Sequence, residues 1–195
     1  MQPIVLASSS PYRRQLLSKL GLEFSAASPD IDESRLPKET PLQLVERLAK
    51  EKAQALAQTF PNHLIIGSDQ VAALDREVVT KPGTHEAAVA QLRRASGRSL
   101  TFLTGVCLLN SHTDNFHVRI ASYEVLFRKL SDQQIERYLQ VEQPYDCAGS
   151  FKSEGLGISL FQYIRGDDPN TLVGLPLIEL TDMLLNEGVD VLAGT

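Results

Sequence analysis

Residues 40–74 read TPLQLVERLAKEKAQALAQTFPNHLIIGSDQVAAL, and this stretch decides the fold class. Thr40-Pro41-Leu42-Gln43 is a capping-box start with Pro in the first turn. Val45, Leu48, Ala49, Ala53 and Leu56 then recur at helical spacing, which predicts a helix burying one face. Residues 63–74 follow as an apolar strand that holds Asp69 in its middle. Working outward, residues 3–7 read as a short buried strand. Ser10-Pro11 starts a helix whose stripe is Leu16, Leu17 and Leu20, and Gly21 stops it. A helix over 84–96 leads into an apolar strand over 100–109, while 116–127 alternates less cleanly. Ser131 with Gln134 opens another helix, and a last one follows Pro176 and runs to Gly188. Strands interleaved with helices indicate an α/β or mixed α+β protein built on a sheet.

The chain has 195 residues, 43% of them hydrophobic and 22% charged, which suits one soluble globular domain and excludes disordered and fibrous classes. Lys and Arg number 19 against 24 Asp and Glu, a formal charge of -5, so no general positive field exists to hold nucleic acid or an anionic membrane. Any polyanion must meet a local basic cluster. Cys107 and Cys147 stand far apart in no metal or disulfide pattern, and His63, His85, His112 and His117 show no ligand spacing. The N-terminus places its basic residues after a short apolar run, the reverse of a secretory signal, and nothing approaches the roughly 20 apolar residues of a membrane span. A cytoplasmic protein is the expectation.

Six places along the chain are able to carry chemistry. Ser8-Ser9-Ser10-Pro11-Tyr12-Arg13-Arg14 puts hydroxyls, free amides and two guanidiniums at a strand-to-helix junction, which is a phosphate cradle or, more plainly, a serine-rich cap with a solvated Arg pair. Lys52 projects onto the apolar arc of its helix, where it either snorkels to water or points its ammonium into a cleft. Asp69 interrupts a buried strand, a costly place for a carboxylate unless it is paired, bonded or on a metal. The other reading is a strand-end turn, which the resumption of apolar residues at Val71 weakens. Glu33 lies in an acidic loop, Lys81 precedes a Pro-Gly turn, and Gly149 to Gly155 collects hydroxyls, Lys152 and Glu154. The basic and hydroxyl groups exceed what a neutral ligand needs, and two isolated carboxylates suit a divalent metal, so the residues suggest a phosphorylated small molecule.

The pattern resembles the Maf family of nucleoside triphosphate pyrophosphatases, and within it the subgroup acting on 7-methyl-GTP. The resemblance is carried by Leu6-Ala7-Ser8-Ser9-Ser10-Pro11-Tyr12-Arg13-Arg14, Asp32-Glu33, Glu51-Lys52-Ala53, Gly67-Ser68-Asp69-Gln70 and Thr80-Lys81-Pro82, then by Tyr145 to Gly155 and Asp168 to Pro176. It implies one Maf-like domain over 1–195, with an elongated fold like that of inosine triphosphatases, a central mixed sheet, flanking helices and a cleft between two lobes. It also implies hydrolysis between the α- and β-phosphates, a divalent cofactor (Mg²⁺, Mn²⁺ or Co²⁺) and a possible homodimer.

By the same resemblance Asp69 is the proton acceptor. Lys52 and Lys81 are catalytic cations, Ser8, Ser10, Arg13 and Arg14 bind phosphate, and Glu33 with Asp69 assists the metal. Tyr12, Gln70 and Glu154 set the base: an aromatic ring stacks on a cationic 7-methylguanine, and a carboxylate accepts from its Watson-Crick edge. Tyr12 stands where the subgroup commonly carries Trp. Two other readings stay open at this stage, a pyrophosphatase for dTTP, UTP or a broader set of modified nucleotides, and a non-catalytic nucleotide-binding regulator of septum formation.

Overall fold

The structure, a computed structural model, describes residues 2–75 and 77–193. The element order is β1 (Ile4–Ala7), α1 (Pro11–Ser18), β2 (Phe24–Ala27), α2 (Pro41–Ala55), β3 (Leu64–Leu74), β4 (Glu77–Val79), α3 (His85–Ala95) and β5 (Ser99–Asn110). There follow β6 (Asn115–Phe127), α4 (Asp132–Glu142), two short 3-10 turns, β7 (Phe161–Arg165), α5 (Asn170–Val173) and α6 (Leu177–Asn186). Among the described residues the strands form a seven-stranded sheet in the order β2-β1-β3-β5-β6-β7, with β4 on β3. It is mixed: β1 runs parallel to β2 and β3, whereas β4 is antiparallel to β3 and β7 to β6. The α/β expectation is met. No described helix is long and apolar enough to cross a membrane.

The caps read from the sequence form as expected. Thr40 Oγ1 accepts from Gln43 N at 3.3 Å while Gln43 Oε1 accepts from Thr40 N at 2.9 Å, and Ser131 with Gln134 repeats that box on α4. Ser10 caps α1, and Gly21 beyond it takes φ +67°. The sequence shows no sign of β2, β4 and β7. They are short, and β2 and β7 leave most of their residues partly or fully exposed, so neither a long apolar run nor strict alternation marks them.

The chain divides into two compact units, Met1–Gln70 with Thr104–Ala121 and Asp168–Thr195, and Val71–Leu103 with Ser122–Asp167. In the first, strand alternation feeds two cores. Ile4, Leu6, Leu64, Ile66, Val106 and Leu108 meet Leu16 and Leu17 of α1 and Leu180 and Leu184 of α6. Val5, Ala7, Ile65, Cys107 and Leu109 meet Ala49 and Ala53 of α2. Two glycines let α2 lie against the sheet. A Cβ on Gly67 would fall 2.1 Å from the Ala49 carbonyl oxygen, and one on Gly105 would fall 2.3 Å from that of Val45. The second unit packs Phe102, Phe127, Phe151 and Phe161 edge to face.

Candidate functional site

Because α2 sits so close to β3, a side chain on its inner face reaches the strand. Lys52 does so: its ammonium is 2.7 Å from Asp69 Oδ1 and 3.0 Å from Glu33 Oε1. Of the two readings of Lys52, the inward one holds, since the side chain is 7% exposed and does not snorkel. Asp69 follows Ile65 and Gly67 on the α2 face of β3 by the two-residue alternation of a strand. It is buried, whereas the Glu33 side chain is 57% exposed. A buried carboxylate opposite a buried ammonium is tolerable only as a pair, which explains the polar residue inside the strand.

The loop that carries Glu33 is anchored by residues to which the sequence reading assigned no role. Glu39 is buried and meets Arg47 in a two-pronged pair, Nε to Oε1 at 2.7 Å and Nη2 to Oε2 at 3.0 Å. Arg47 also donates to the Ser34 carbonyl at 3.0 Å and to Glu51 at 2.9 Å. Arg35 turns back onto the Glu39 carbonyl. The Arg47 hydrogen bond holds the Glu39 carboxyl down at about 2, below its ordinary 4.5. The visible signal was the i,i+4 spacing of Arg47 and Glu51; the longer link to Glu39 has no local signature.

At the end of β1, Ser8 is buried and its hydroxyl accepts from Ser10 N at 3.1 Å, while Ser10 Oγ accepts from Arg13 N at 3.4 Å. Arg13 is half-buried, and its Nε donates to the Gly174 carbonyl at 2.9 Å. Burial pulls the Arg13 guanidinium below its ordinary value, and the negative charges of Asp69 and Glu33 pull it back up. That opposition places Arg13 electrically with the carboxylate pair. Tyr12 and Arg14 are exposed on the same helix.

On the opposite face of β3 from Asp69, Ser68 and Gln70 turn to residues 171–174. Ser68 Oγ lies 2.8 Å from the Gly105 carbonyl and 3.0 Å from that of Gly174. Gln70 Nε2 donates to the Thr171 carbonyl at 2.7 Å, to Thr104 Oγ1 at 2.9 Å and more weakly to the Leu172 carbonyl at 3.3 Å. Asp168, also given no role from sequence, is buried: Oδ1 accepts from Asn170 N at 2.8 Å and Oδ2 from Ile178 N at 2.9 Å, so it caps α6 from outside.

The structure thus brings Ser8, Ser10, Arg13, Glu33, Lys52, Asp69 and Gln70 together in the first unit, with Tyr12 and Arg14 on its surface. Lys81 and Glu154 belong to the second. Lys81 is exposed in a turn whose flanks are fixed, Thr80 by a bond from Gln91 Nε2 at 2.9 Å and Gly83 by its N–H to the Tyr145 carbonyl at 2.9 Å. Ser150 Oγ donates to Gln91 Oε1 at 2.6 Å, and His85 bridges Tyr145 and Glu136 at 2.9 Å each, which ties the same turn to residues 145–150. Glu154 is exposed beside Ser153.

A profile of the family described as Maf-like protein matches residues 3–187. The chain is 58% identical over 191 residues to the 7-methyl-GTP pyrophosphatase of Pseudomonas fluorescens strain Pf0-1, covering 98% of this chain and 100% of that one. It is 60% identical over 186 residues to the 7-methyl-GTP pyrophosphatase of Alcanivorax borkumensis, covering 95% and 94%. Among solved structures it resembles a HAM1 protein from Coxiella burnetii, with a TM-score of 0.53 at 16% identity over 96% of this chain and 100% of that one. The Staphylococcus aureus Ham1 protein gives a TM-score of 0.52 at 14% identity over the same shares. Those two likenesses concern the fold alone.

Proposed function

The chain belongs to the Maf family, and from that premise we propose that it is a pyrophosphatase cleaving the α-β phosphoanhydride of 7-methyl-GTP to 7-methyl-GMP and pyrophosphate. One arrangement supports this reading above the rest: the Lys52 ammonium held between Asp69 and Glu33, with Arg13 in their field. Full-length identity to relatives named for this substrate supports the choice of base.

Asp69 Oδ1 is committed to Lys52, so Oδ2 is the oxygen that orients a water and takes its proton. As the water oxygen bonds to phosphorus, the bridging P–O bond breaks and pyrophosphate leaves. Lys52 holds the Asp69 carboxylate fixed in direction until that moment. Arg13, the Ser8 and Ser10 hydroxyls and the amino terminus of α1 meet the phosphate oxygens, where negative charge grows as the bond breaks. Tyr12 stacks on the cationic base. Lys81 and Glu154 keep the roles implied by the family resemblance, a cation for the phosphates and an acceptor for the base.

Within the first unit the two acids Asp69 and Glu33 are matched by the two cations Lys52 and Arg13. That cluster alone therefore has no surplus of positive charge for a triphosphate, which asks for a divalent cation. The donor set fits one: Mg²⁺, Mn²⁺ or Co²⁺ commonly takes one or two carboxylates and completes its shell with substrate oxygens and water. Among the described residues no group of three or more His, Cys, Asp or Glu forms an all-protein cage, so Asp69 and Glu33 would hold the ion jointly with the phosphates. When bound, the ion supplies charge neutralisation and lowers the pKa of water.

The test is pyrophosphate release from 7-methyl-GTP, GTP, dTTP, UTP and ITP, with and without each metal, beside Asp69→Asn. The expected result is metal-dependent release with 7-methyl-GTP preferred and lost in the variant, whose folding is checked by circular dichroism. A folded Asp69→Asn that keeps most of its turnover would remove Asp69 from the mechanism. Preference for dTTP or UTP would overturn the base reading.

A further inference from the structure

We propose that Gln91 is a positioning residue for Lys81, acting through the Thr80 carbonyl, and that Ser150 fixes the Gln91 amide in the direction this needs. This rests on the pyrophosphatase reading, which puts the Lys81 cation on the phosphates. All four residues lie within the second unit.

Consider what a lysine needs in order to deliver its charge to one place. Its ammonium has no preferred plane and ends a flexible four-carbon stem, so its reach is set by where the backbone roots that stem. At Lys81 the backbone is limited on both sides. Pro82 restricts Lys81 to extended conformations and, having no N–H, gives the Lys81–Pro82 peptide no hydrogen to tie down. The plane left to be fixed is the Thr80–Lys81 peptide, whose carbonyl belongs to Thr80. Gln91 Nε2, reaching out from α3, holds that carbonyl at 2.9 Å. Beyond Pro82, Gly83 takes φ +71° and its N–H reaches the Tyr145 carbonyl at 2.9 Å, so the far end of the turn is held independently.

The direction of the Gln91 amide is set by its two neighbours. A carbonyl only accepts, so the atom facing Thr80 has to be the nitrogen, and the amide oxygen is turned away from it. Ser150 meets that oxygen: its hydroxyl donates to Gln91 Oε1 at 2.6 Å. Ser150 is fully buried and takes φ +61°, beside Gly149 at φ +78°, in a turn closed by its N–H to the Cys147 carbonyl at 3.1 Å. A side chain in that region costs backbone energy that a second glycine would avoid, and what the serine adds there is this hydroxyl. Two bonds in series therefore run from Ser150 through one side chain of α3 to the peptide that roots Lys81, each polarising the other. The helix is itself tied to the strand that leads into the turn, since Arg94 Nη2 donates to Glu77 Oε2 of β4 at 2.6 Å.

The experiment is a double-mutant cycle with Gln91→Met and Ser150→Ala, each made in the wild-type and Lys81→Ala backgrounds. It is read on kcat/KM for pyrophosphate release and, independently of turnover, on calorimetric affinity for inorganic triphosphate. Arg93→Ala is the control, since it removes another bond of α3, from Arg93 Nε to Asp132 at 2.7 Å, without touching the turn. In the wild-type background Gln91→Met should lower both quantities about threefold to tenfold, the range expected for loss of an orienting hydrogen bond. Ser150→Ala should lower them about twofold to fivefold, because the bond to Thr80 survives it. In the Lys81→Ala background the same substitutions should change them less than about 1.5-fold, because nothing remains to be placed. The ratio of 7-methyl-GTP to GTP turnover should not move, since the two nucleotides share their phosphates. If Gln91→Met fails to fold, Ser150→Ala carries the test alone. Equal losses in both backgrounds, losses no larger than that of Arg93→Ala, or a changed ratio would overturn the positioning role. So would a Lys81→Ala protein that keeps wild-type turnover and triphosphate affinity, a result that leaves the pyrophosphatase reading intact. A wild type that binds triphosphate with the expected coupling but releases no pyrophosphate would instead refute the pyrophosphatase reading and leave the positioning role standing. A wild type that neither binds triphosphate nor releases pyrophosphate refutes both.

Discussion

Gly67→Ala tests whether the closeness of α2 to β3 is what assembles the site. The added Cβ would meet the Ala49 carbonyl oxygen at 2.1 Å and the Ala53 nitrogen at 2.8 Å, both backbone atoms of a helix that cannot rotate away individually. Restoring ordinary van der Waals separation requires helix and strand to part by ~1 Å or more. Whichever of the two moves carries one member of the Lys52 and Asp69 pair with it, because Lys52 lies within one turn of Ala49 and Asp69 lies two residues from Gly67. A contact of 2.7 Å then opens beyond hydrogen-bond range unless the lysine stem re-extends. Overpacking costs about 1–3 kcal/mol, offset by about 0.4–1 kcal/mol from the stiffer unfolded chain. A net loss of about 1–2 kcal/mol lowers Tm by roughly 2–8 °C in a protein of this size. Turnover should fall by far more than stability, on the order of 100-fold, because a displacement of that size misaligns the reacting groups. The comparison is Gly21→Ala, where φ is +67° but nothing lies within 4 Å of the new Cβ, so the cost is backbone strain alone. Scanning calorimetry and pyrophosphate release at a temperature where all three proteins are folded decide the matter. If Gly67→Ala keeps more than half of its turnover, or loses no more than Gly21→Ala does, the close approach is not what builds the site.

Lys52→Met should cost about 3–5 kcal/mol, since it leaves Asp69 buried without its partner, and urea denaturation showing a loss below about 1 kcal/mol would contradict the buried pair. Glu39→Gln should destabilise the protein at neutral pH and reduce turnover by loosening the loop that carries Glu33. Because the folded Glu39 carboxyl titrates at about 2 and not at its ordinary 4.5, its contribution is complete above 4.5 and is lost as pH falls through about 2, so denaturation midpoints of wild type and variant should converge over that window. A gap that persists unchanged at the acid end would refute the assignment. Burial pushes both thiols, Cys107 and Cys147, up to about 12, so iodoacetamide at neutral pH should leave pyrophosphate release intact, and rapid inactivation would show that one of them is activated.

The parts of this molecule legible in its sequence are those whose signal is local. The capping boxes at Thr40 and Ser131 need only four residues, and the long helix and strand over 40–74 declare themselves by period. Asp69 and Lys52 stood out individually as polar groups in apolar arcs, which is a local anomaly too. What periodicity could not say is that the two anomalies cancel each other. That follows from Gly67 and Gly105, whose reason lies on another element: a missing side chain leaves no trace in a hydrophobic pattern until the helix that fills the space is known. Glu39, Arg47 and Asp168 leave no such mark, because the bonds that matter link Glu39 to Arg47, Arg47 to the Ser34 carbonyl and Asp168 to the Ile178 amide, spans of 8, 13 and 10 residues that no short-range pattern reports.

Gln70 shows the limit from the other side. The family resemblance gives Gln70 a part in choosing the base, and the neighbours of its amide say which of its atoms can take that part. In this chain both Gln70 amide hydrogens go to the Thr171 carbonyl and Thr104 Oγ1, so the atom left to meet a base is Oε1, which only accepts. A base presenting an N–H there is favoured over one presenting a lone pair, so Gln70→Leu should change the ranking within the same panel of nucleotides, and an unchanged ranking would take Gln70 out of base choice.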